Sequence, residues 1–269
     1  MCHMVWAVGG FIRNMGALDF AGGTVIHVTS GFSALTAAIL IGKRKGYGTL
    51  SLRPHNIPYV CLGGSLLWMG WFGFNAGAGL SVSGVMTQAL ANTGIASCTA
   101  GLVWIILEEF IHQKITALGL MTGILAGLVG ITPGAGFVDT NAAFVIGVTT
   151  PIICFFFISY VKSYFGYDDS LDAFGCHGMG GVWGALMTGI FCTKVVNSAG
   201  ADGLLYGNPE QMIPQITGIV VGMVVAVVMT AAILKVLGLL YDRACYAIGR
   251  SPGTWTLLIM GNELIISYK

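Results

Sequence analysis

The chain has 269 residues, of which 55% are apolar and only 9% are charged, and its mean hydropathy is +0.83. Soluble domains carry about a quarter charged residues, so this composition excludes a soluble fold and predicts an all-α polytopic membrane protein. The net charge of +1 does not provide the basic surface that a nucleic-acid partner requires. The 41 glycines predict tightly packed helices, because small residues let membrane helices approach closely.

Apolar runs separated by polar connections predict seven membrane-spanning helices, each close to the roughly 20 residues that a bilayer requires. In chain order they cover residues 20–42, 59–78, 86–107, 117–132, 142–161, 171–191 and 213–234, with the last able to extend to 240. Residues 1–19 are predicted to form a loop or the irregular end of a larger structure. We therefore expect a membrane domain over residues 1–241 and a tail over residues 242–269.

The distribution of lysine and arginine predicts the orientation in the membrane. With seven spans, ten basic residues fall on one side and two on the other. The ten are Lys43, Arg44, Lys45, Arg53, Lys114, Lys162, Lys235, Arg243, Arg250 and Lys269, and the two are Arg13 and Lys194. Because cytoplasmic loops are enriched in Lys and Arg, we expect the C-terminus to be cytoplasmic and the N-terminus to be outside. An outer N-terminus also leads us to expect further spans upstream.

Two histidines enter apolar runs in similar local sequences. Asp19 precedes His27 by eight residues, and Asp169 precedes His177 by eight. A glycine follows each histidine after four residues. At 1.5 Å per residue, each histidine lies about 10 Å into its span, on antiparallel paths. We interpret the two segments as related halves of one intramembrane site.

A histidine pair inside a membrane has three interpretations. Each ring could be a core histidine bonded to a backbone carbonyl. The two rings and a carboxylate could bind zinc, although the sequence offers no HExxH motif and no third nearby ligand. The rings could instead line a conduction path, where paired imidazoles supply both a hydrogen-bond donor and an acceptor. The matched spacing favours the third interpretation.

Carboxylates stand at the entrances of both histidine-bearing spans. Asp169 and Asp172 are expected to cap or support a helix start, because a carboxylate accepts bonds from free N–H groups there. Asp19 is expected to stabilise the fold near the mouth of the path.

Aromatic residues gather near the predicted outer side. Trp6 and Phe74 belong either to an interfacial aromatic belt or to a cation–π cage followed by an aromatic gate.

Three motifs resemble signatures of the ammonium transporter (Amt/Mep/Rh) family. They are GALDFAGGTVIH at 16–27, GWFGFNAG at 70–77 and DDSLDAFGCHGMGG at 168–181. The resemblance covers about residues 3–240. It implies an eleven-helix fold with an inverted repeat, assembled as a homotrimer with one pore per subunit. This chain would then lack about the first four helices, and its apolar C-terminal tail is atypical of the family.

The resemblance also implies roles for single residues. His27 and His177 resemble the central pore pair, which would relay a proton. Trp6 and Asp19 resemble the outer recruitment site and its support, and Phe74 resembles one of two gating phenylalanines.

The implied function is ammonium transport in the cell membrane. A cation would be recruited at the outer aromatic site and deprotonated, and ammonia would cross an apolar pore. No enzymatic activity, cofactor or metal is implied, and the expected partners are ammonium, the lipid bilayer and a PII-type regulatory protein. Three alternatives stay open: an ammonium sensor, a non-conducting fragment, and an intramembrane metal-dependent enzyme that uses the two histidines.

Overall fold

The structure, a computed structural model, describes residues 1–52, 54–247, 255–260 and 263–268. The basic residues Arg53, Arg250 and Lys269 of the orientation count lie outside these ranges. The predicted tail, 242–269, is described only in part.

A helix covers most of each predicted membrane-spanning segment, although the helices at 20–42 and 171–191 begin three residues later than predicted. In chain order the described helices are α1 (Cys2–Trp6), α2 (Phe11–Asn14), α3 (Gly23–Ile41), α4 (Ile57–Gly77), α5 (Gly84–His112), α6 (Ala117–Ile131), α7 (Thr140–Phe165), α8 (residues 174–191) and α9 (Met212–Ala247). Among the described residues, α3, α4, α5, α7 and the Pro209–Leu240 segment are long and apolar enough to cross a membrane, and α6 is a shorter apolar helix. The expected membrane bundle is therefore confirmed.

The N-terminal prediction was wrong in one respect. Residues 1–19 were expected to be a loop or an irregular chain end, but they contain the short helices α1 and α2. Val5 and Ile12 of these helices are buried against Val25 of α3. Five and four residues are too few for a hydrophobic period to be visible in the sequence, so burial against α3 decides their structure.

Four consecutive helices begin at a side-chain cap. Asn56 accepts from the backbone N–H of Tyr59 at the start of α4, and Ser83 caps α5. Thr116 and Asp139 cap α6 and α7 in the same way. Each cap satisfies one of the free N–H groups of a helix start, which explains why α4 to α7 begin where they do.

Small residues form the contact between the central helices. Helix α5 packs against α6 and α7, and α9 packs against α3. A Cβ atom at Gly127 of α6 would lie 2.5 Å from Cβ of Ala100 on α5. The backbones can therefore approach closely, as in other membrane helix pairs.

Helices α3 and α8 cross at the glycines that follow the two histidines. A Cβ atom at Gly31 would lie 2.1 Å from the backbone nitrogen of Gly178. On the other side of the crossing, a Cβ atom at Gly181 would lie 3.0 Å from both the carbonyl oxygen of Gly23 and Cβ of His27. Both helices are also locally widened into π-helical turns, at Gly23–Val28 and Phe174–Met179. The crossing therefore joins the two histidine-bearing turns directly.

The described part of the tail contains two strands. Strands β1 (Trp255–Met260) and β2 (Glu263–Tyr268) pair antiparallel, with Trp255 opposite Tyr268. This hairpin was not predicted, because the apolar tail was expected only to be atypical of the family.

The crossing generates a first prediction. Gly31→Ala should destabilise the protein by about 1–3 kcal/mol, because its methyl group meets backbone atoms that cannot rotate away. The matched control is Gly63→Ala on α4, where an added Cβ has nothing within 4 Å. Thermal unfolding in detergent should show a lower midpoint for Gly31→Ala and an unchanged or higher one for Gly63→Ala. Equal midpoints for the two variants would contradict a tight crossing.

Candidate functional site

The imidazole rings of His27 and His177 meet inside the bundle. Their Nδ1 atoms are 3.1 Å apart, and the rings stack with centroids 5.2 Å apart at an angle of 27°. His27 is buried, and its Nε2 has no hydrogen-bond partner among the described residues. At 3.1 Å one Nδ1 must donate and the other must accept, so the two neutral rings hold opposite tautomers. The pair predicted from spacing is thus a contact pair in the structure.

Asp19 caps the turn that carries His27. Its Oδ1 accepts from the backbone N–H groups of Gly22 and Gly23 at 2.9 and 2.7 Å. Its Oδ2 accepts from those of Thr24 and Val25 at 2.8 and 3.0 Å. The carboxylate therefore satisfies four free donors of a helix that begins inside the protein.

The counterpart of Asp19 has a smaller capping role. Asp169 is buried and accepts from the backbone N–H of Phe174, 2.8 Å away, at the start of the turn that carries His177. Asp172 does not cap the helix with its side chain. It pairs with Lys162 at 2.6 Å, and its φ of 54° is in the left-handed region that aspartate tolerates. The lysine also binds the backbone oxygen of Asp169, so it holds this connection together.

A second ion pair closes the same end of the bundle. Arg44 donates from its backbone N, Nε and Nη2 to the carboxylate of Asp168 at 2.7–2.8 Å. These bonds hold the pKa of Asp168 below its ordinary value. Tyr47 donates to the backbone oxygen of Tyr167, and the ring of Tyr167 contacts Phe174. The 43–47 segment is therefore tied to the turn that carries His177.

A row of aromatic rings continues from the histidines. The indole of Trp71 stacks on His27 with centroids 5.2 Å apart at 17°, and Phe74 contacts Trp71 edge-on at 5.6 Å. Phe74 was predicted as a site residue from the sequence, whereas Trp71 was not. The spacing in the sequence could have identified Trp71. Residues at positions i and i+3 of a helix lie on the same face, so the side chains of Trp71 and Phe74 are neighbours.

Trp6 lies on the segment before α3, next to Asp19. Its Nε1 donates to the backbone oxygen of Asp19 at 2.7 Å, and Arg13 donates to the backbone oxygen of Trp6. These residues line a cavity of about 350 Å³, which is also bounded by Phe137 and Gln211. The structure therefore brings together Trp6 and Asp19, as the recruitment interpretation requires.

No metal centre is visible in the part of the chain that the structure describes. Within it, no three His, Cys, Asp or Glu side chains are grouped closely enough to hold an ion.

The two capping carboxylates generate a prediction with an internal comparison. Asp19→Asn should destabilise the protein by about 3 kcal/mol or more, because the amide NH₂ faces backbone N–H groups that then lose their acceptor. Asp169→Asn should cost less, because this carboxylate caps a single N–H of its turn. Thermal midpoints and the yield of folded protein in detergent measure the difference. A larger loss for Asp169→Asn would show that the number of capped donors is not what matters.

The Arg44–Asp168 pair generates a pH prediction. The lowered pKa of Asp168 means that its stabilisation is present above the unfolded pKa of about 4 and is lost as pH falls through the folded value. Asp168→Asn should therefore cost about 1–2 kcal/mol at pH 7, since the arginine is half exposed and solvent screens the pair. The deficit should shrink at pH 3.5. Glu109→Gln, at an exposed position, serves as the control for loss of one negative charge. A deficit independent of pH would exclude the ion pair as its cause.

Comparisons with known proteins agree with the geometry. The family model "Ammonium Transporter Family" matches residues 1–244. An ammonium transporter of Bacillus subtilis is 48% identical over 239 residues, which are 89% of this chain and 58% of that protein. The crystal structure of Saccharomyces cerevisiae Mep2 matches with a TM-score of 0.82 at 35% identity, covering 87% of this chain and 54% of that one.

A solved sensor Amt protein is also similar. It has a TM-score of 0.79 at 32% identity, with 87% of this chain and 60% of that one covered. The chain thus spans between half and two thirds of the length of these relatives, which are named as transporters or sensors rather than as enzymes. On the family match, the motifs and the helical bundle, this chain belongs to the ammonium transporter family of membrane proteins.

Proposed function

We propose that the protein to which these residues belong carries ammonium nitrogen across the cell membrane as ammonia, past the His27–His177 pair. The observation that carries the proposal is the contact between the two Nδ1 atoms at 3.1 Å, in which His27 is buried and His177 half-buried. Two imidazoles held in opposite tautomers present an acceptor Nε2 on one ring and a donor Nε2 on the other. Such a pair suits a small neutral ligand that can both donate and accept a hydrogen bond.

Energetics favour the neutral species in the path. Moving a bare cation of ammonium size into a dry apolar medium costs on the order of 20 kcal/mol before relaxation. Removing a proton from an amine with a pKa near 10.4 costs only roughly 4–5 kcal/mol at pH 7. Deprotonation followed by passage of ammonia therefore costs less free energy along a path lined by aromatic residues such as Trp71 and Phe74.

Recruitment of the cation is proposed at the end of the bundle that carries Trp6. The cavity there contains the indole of Trp6 and lies against Asp19, and an aromatic face attracts a cation by its quadrupole. Phe74 then acts as a gate between this end and the histidines. Asp19 supports the site through its four backbone bonds, while Asp169 and Asp172 support the opposite end.

The proton follows a different course from ammonia in this proposal. The histidine that accepts a proton at Nε2 can release its Nδ1 proton to Nδ1 of the other ring, and that ring then releases the proton that it carries on Nε2. The net result is one proton passed along the pair and both tautomers inverted. This relay makes net transport electrogenic. The contact distance between the Nδ1 atoms supports it, because a proton transfers only between atoms within hydrogen-bond reach.

The assembly is proposed from the family and from the surface of the helices. Helix α4 is long enough to cross a membrane, and most of its residues are exposed or only half-buried in the single chain, with Gly64, Asn75 and Ala76 buried. We infer that residues 1–241 form a membrane domain whose exposed apolar faces contact lipid and other helices of a homotrimer. The Lys-rich side with the 242–269 tail is assigned to the cytoplasm, where a PII-type protein would bind.

Two alternatives have specific support. Similarity to a sensor Amt protein favours an ammonium sensor, whose histidine path would report ammonium instead of conducting it. The match to only 58% of the Bacillus subtilis transporter favours a fragment that does not conduct without further helices. Ammonium-evoked current separates the transporter from both.

The test is growth and current in cells that lack their own ammonium transporters. The chain should rescue growth on low ammonium at acidic pH, and His177→Ala should abolish ammonium-evoked current because the relay loses one ring. His112→Ala is the matched control, since this exposed histidine contacts Phe155 on α7 rather than the pair. Undiminished current in His177→Ala would refute the relay. The chain could reach the membrane without rescuing growth, and growth could be rescued once upstream helices are added. That result would show that residues 1–269 alone are a non-conducting fragment.

A further inference from the structure

The indole of Trp71 is fixed by one hydrogen bond outside the histidine pair. Its Nε1 donates to Oγ1 of Thr132 at 3.0 Å. That hydroxyl donates in turn to the backbone oxygen of Leu128 at 2.7 Å. Because the hydroxyl proton is committed to the carbonyl, a lone pair of Oγ1 is left to accept from the indole, which can only donate. The threonine is fully buried, so water does not replace it as a partner for the indole.

The same residue also anchors the start of α3. The backbone oxygen of Thr132 accepts from the N–H of Ala21, and that of Pro133 accepts from the N–H of Phe20 at 2.9 Å. These bonds hold the segment between Asp19 and the turn that carries His27. Thr132 thus bonds the segment just before the histidine turn through its backbone oxygen, and the ring stacked on the histidine through its side chain.

We infer that Thr132 is a positioning residue for the histidine pair, and that it acts by orienting Trp71. The face of the indole lies almost parallel to His27, at 17°, and His27 lies at 27° to His177. A tilt of the indole therefore removes the flat surface against which His27 aligns its Nδ1 with that of His177. The consequence for transport rests on the proposed function, whereas the consequence for ring geometry does not.

Helix α4 offers a matched pair for comparison. Trp68 lies one turn before Trp71 and donates from Nε1 to Oγ of Ser97 at 2.8 Å. Ser97, like Thr132, is fully buried. In the described part of the chain, the ring that stacks on His27 from α4 is that of Trp71, not that of Trp68. Loss of the Ser97 hydroxyl therefore removes the same kind of bond without disturbing the neighbour of His27.

The experiment compares Thr132→Val, Thr132→Ser, Trp71→Phe, the double variant Thr132→Val with Trp71→Phe, and Ser97→Ala. The first readout is NMR of ¹⁵N-labelled Trp and His in lipid nanodiscs, with the Trp71 indole signal identified by its loss in Trp71→Phe. Thr132→Val should shift that indole signal and the His27 and His177 ring nitrogens, while Thr132→Ser should restore them. Ser97→Ala should leave the imidazole signals unchanged.

The second readout is ammonium-evoked transport in proteoliposomes. Thr132→Val should lower the rate about fivefold, the effect of losing one hydrogen bond in an oriented site. Thr132→Ser should stay within about twofold of wild type, because it keeps both the donor and the acceptor. In the Trp71→Phe background, Thr132→Val should cause no further loss. Ser97→Ala should lower the thermal midpoint without lowering the rate.

Two results would overturn the inference. Unchanged imidazole signals in Thr132→Val would show that the threonine does not position the pair. An equal loss of rate with and without the Trp71 indole would show that Thr132 acts by another route. If wild-type chain does not transport at all, the proposed function fails, and the imidazole signals still decide the role of Thr132.

Discussion

The close approach of α3 and α8 at Gly31 and Gly181 is the constraint on which the site depends. A side chain at Gly31 would need space that the backbone of Gly178 already occupies. Without this contact the two π-helical turns would separate by the width of a methyl group or more. An Nδ1 to Nδ1 distance of 3.1 Å leaves no room for such a shift, because a hydrogen bond weakens steeply beyond about 3.5 Å. The lack of side chains at Gly31 and Gly181 thus allows the close contact between the rings of His27 and His177.

Both helices of the crossing begin inside the protein, where their first backbone N–H groups need acceptors, and carboxylates supply these acceptors. Asp19 satisfies four backbone donors in a buried position where water does not reach them. Asp169 satisfies one, and Lys162 and Asp172 hold the connection around it. Both helix starts are therefore stabilised by a buried carboxylate, but the surrounding contacts differ. The start of α3 is capped by Asp19, whereas the start of α8 is held by Asp169 together with the Lys162–Asp172 ion pair.

Aromatic contacts continue from the histidine pair along the proposed path, from His27 to Trp71 and then to Phe74. Trp71 contacts both His27 and Phe74, and Thr132 fixes the indole by accepting from its Nε1. The chemistry proposed for the pair needs rings that keep their planes while protons move between them. Trp71 meets this need: its apolar ring offers the proton no other acceptor, and its hydrogen bond to Thr132 holds the orientation of the ring.

Local sequence was sufficient for the membrane spans, because hydropathy is a short-range signal. The repeated Asp-to-His spacing led to the interpretation of His27 and His177 as halves of one site, but their contact came from the folded chain. Local sequence was insufficient for α1 and α2, which are too short to show a period, and for Trp71, whose importance comes from the stack on His27. The roles of Thr132 and of the Arg44–Asp168 pair also came only from the folded chain, since their partners are 61 and 124 residues away. Composition and spacing thus set which residues enter the membrane. Which of them touch was decided by how α3, α4, α6 and α8 pack, because contacts between distant segments depend on the whole bundle.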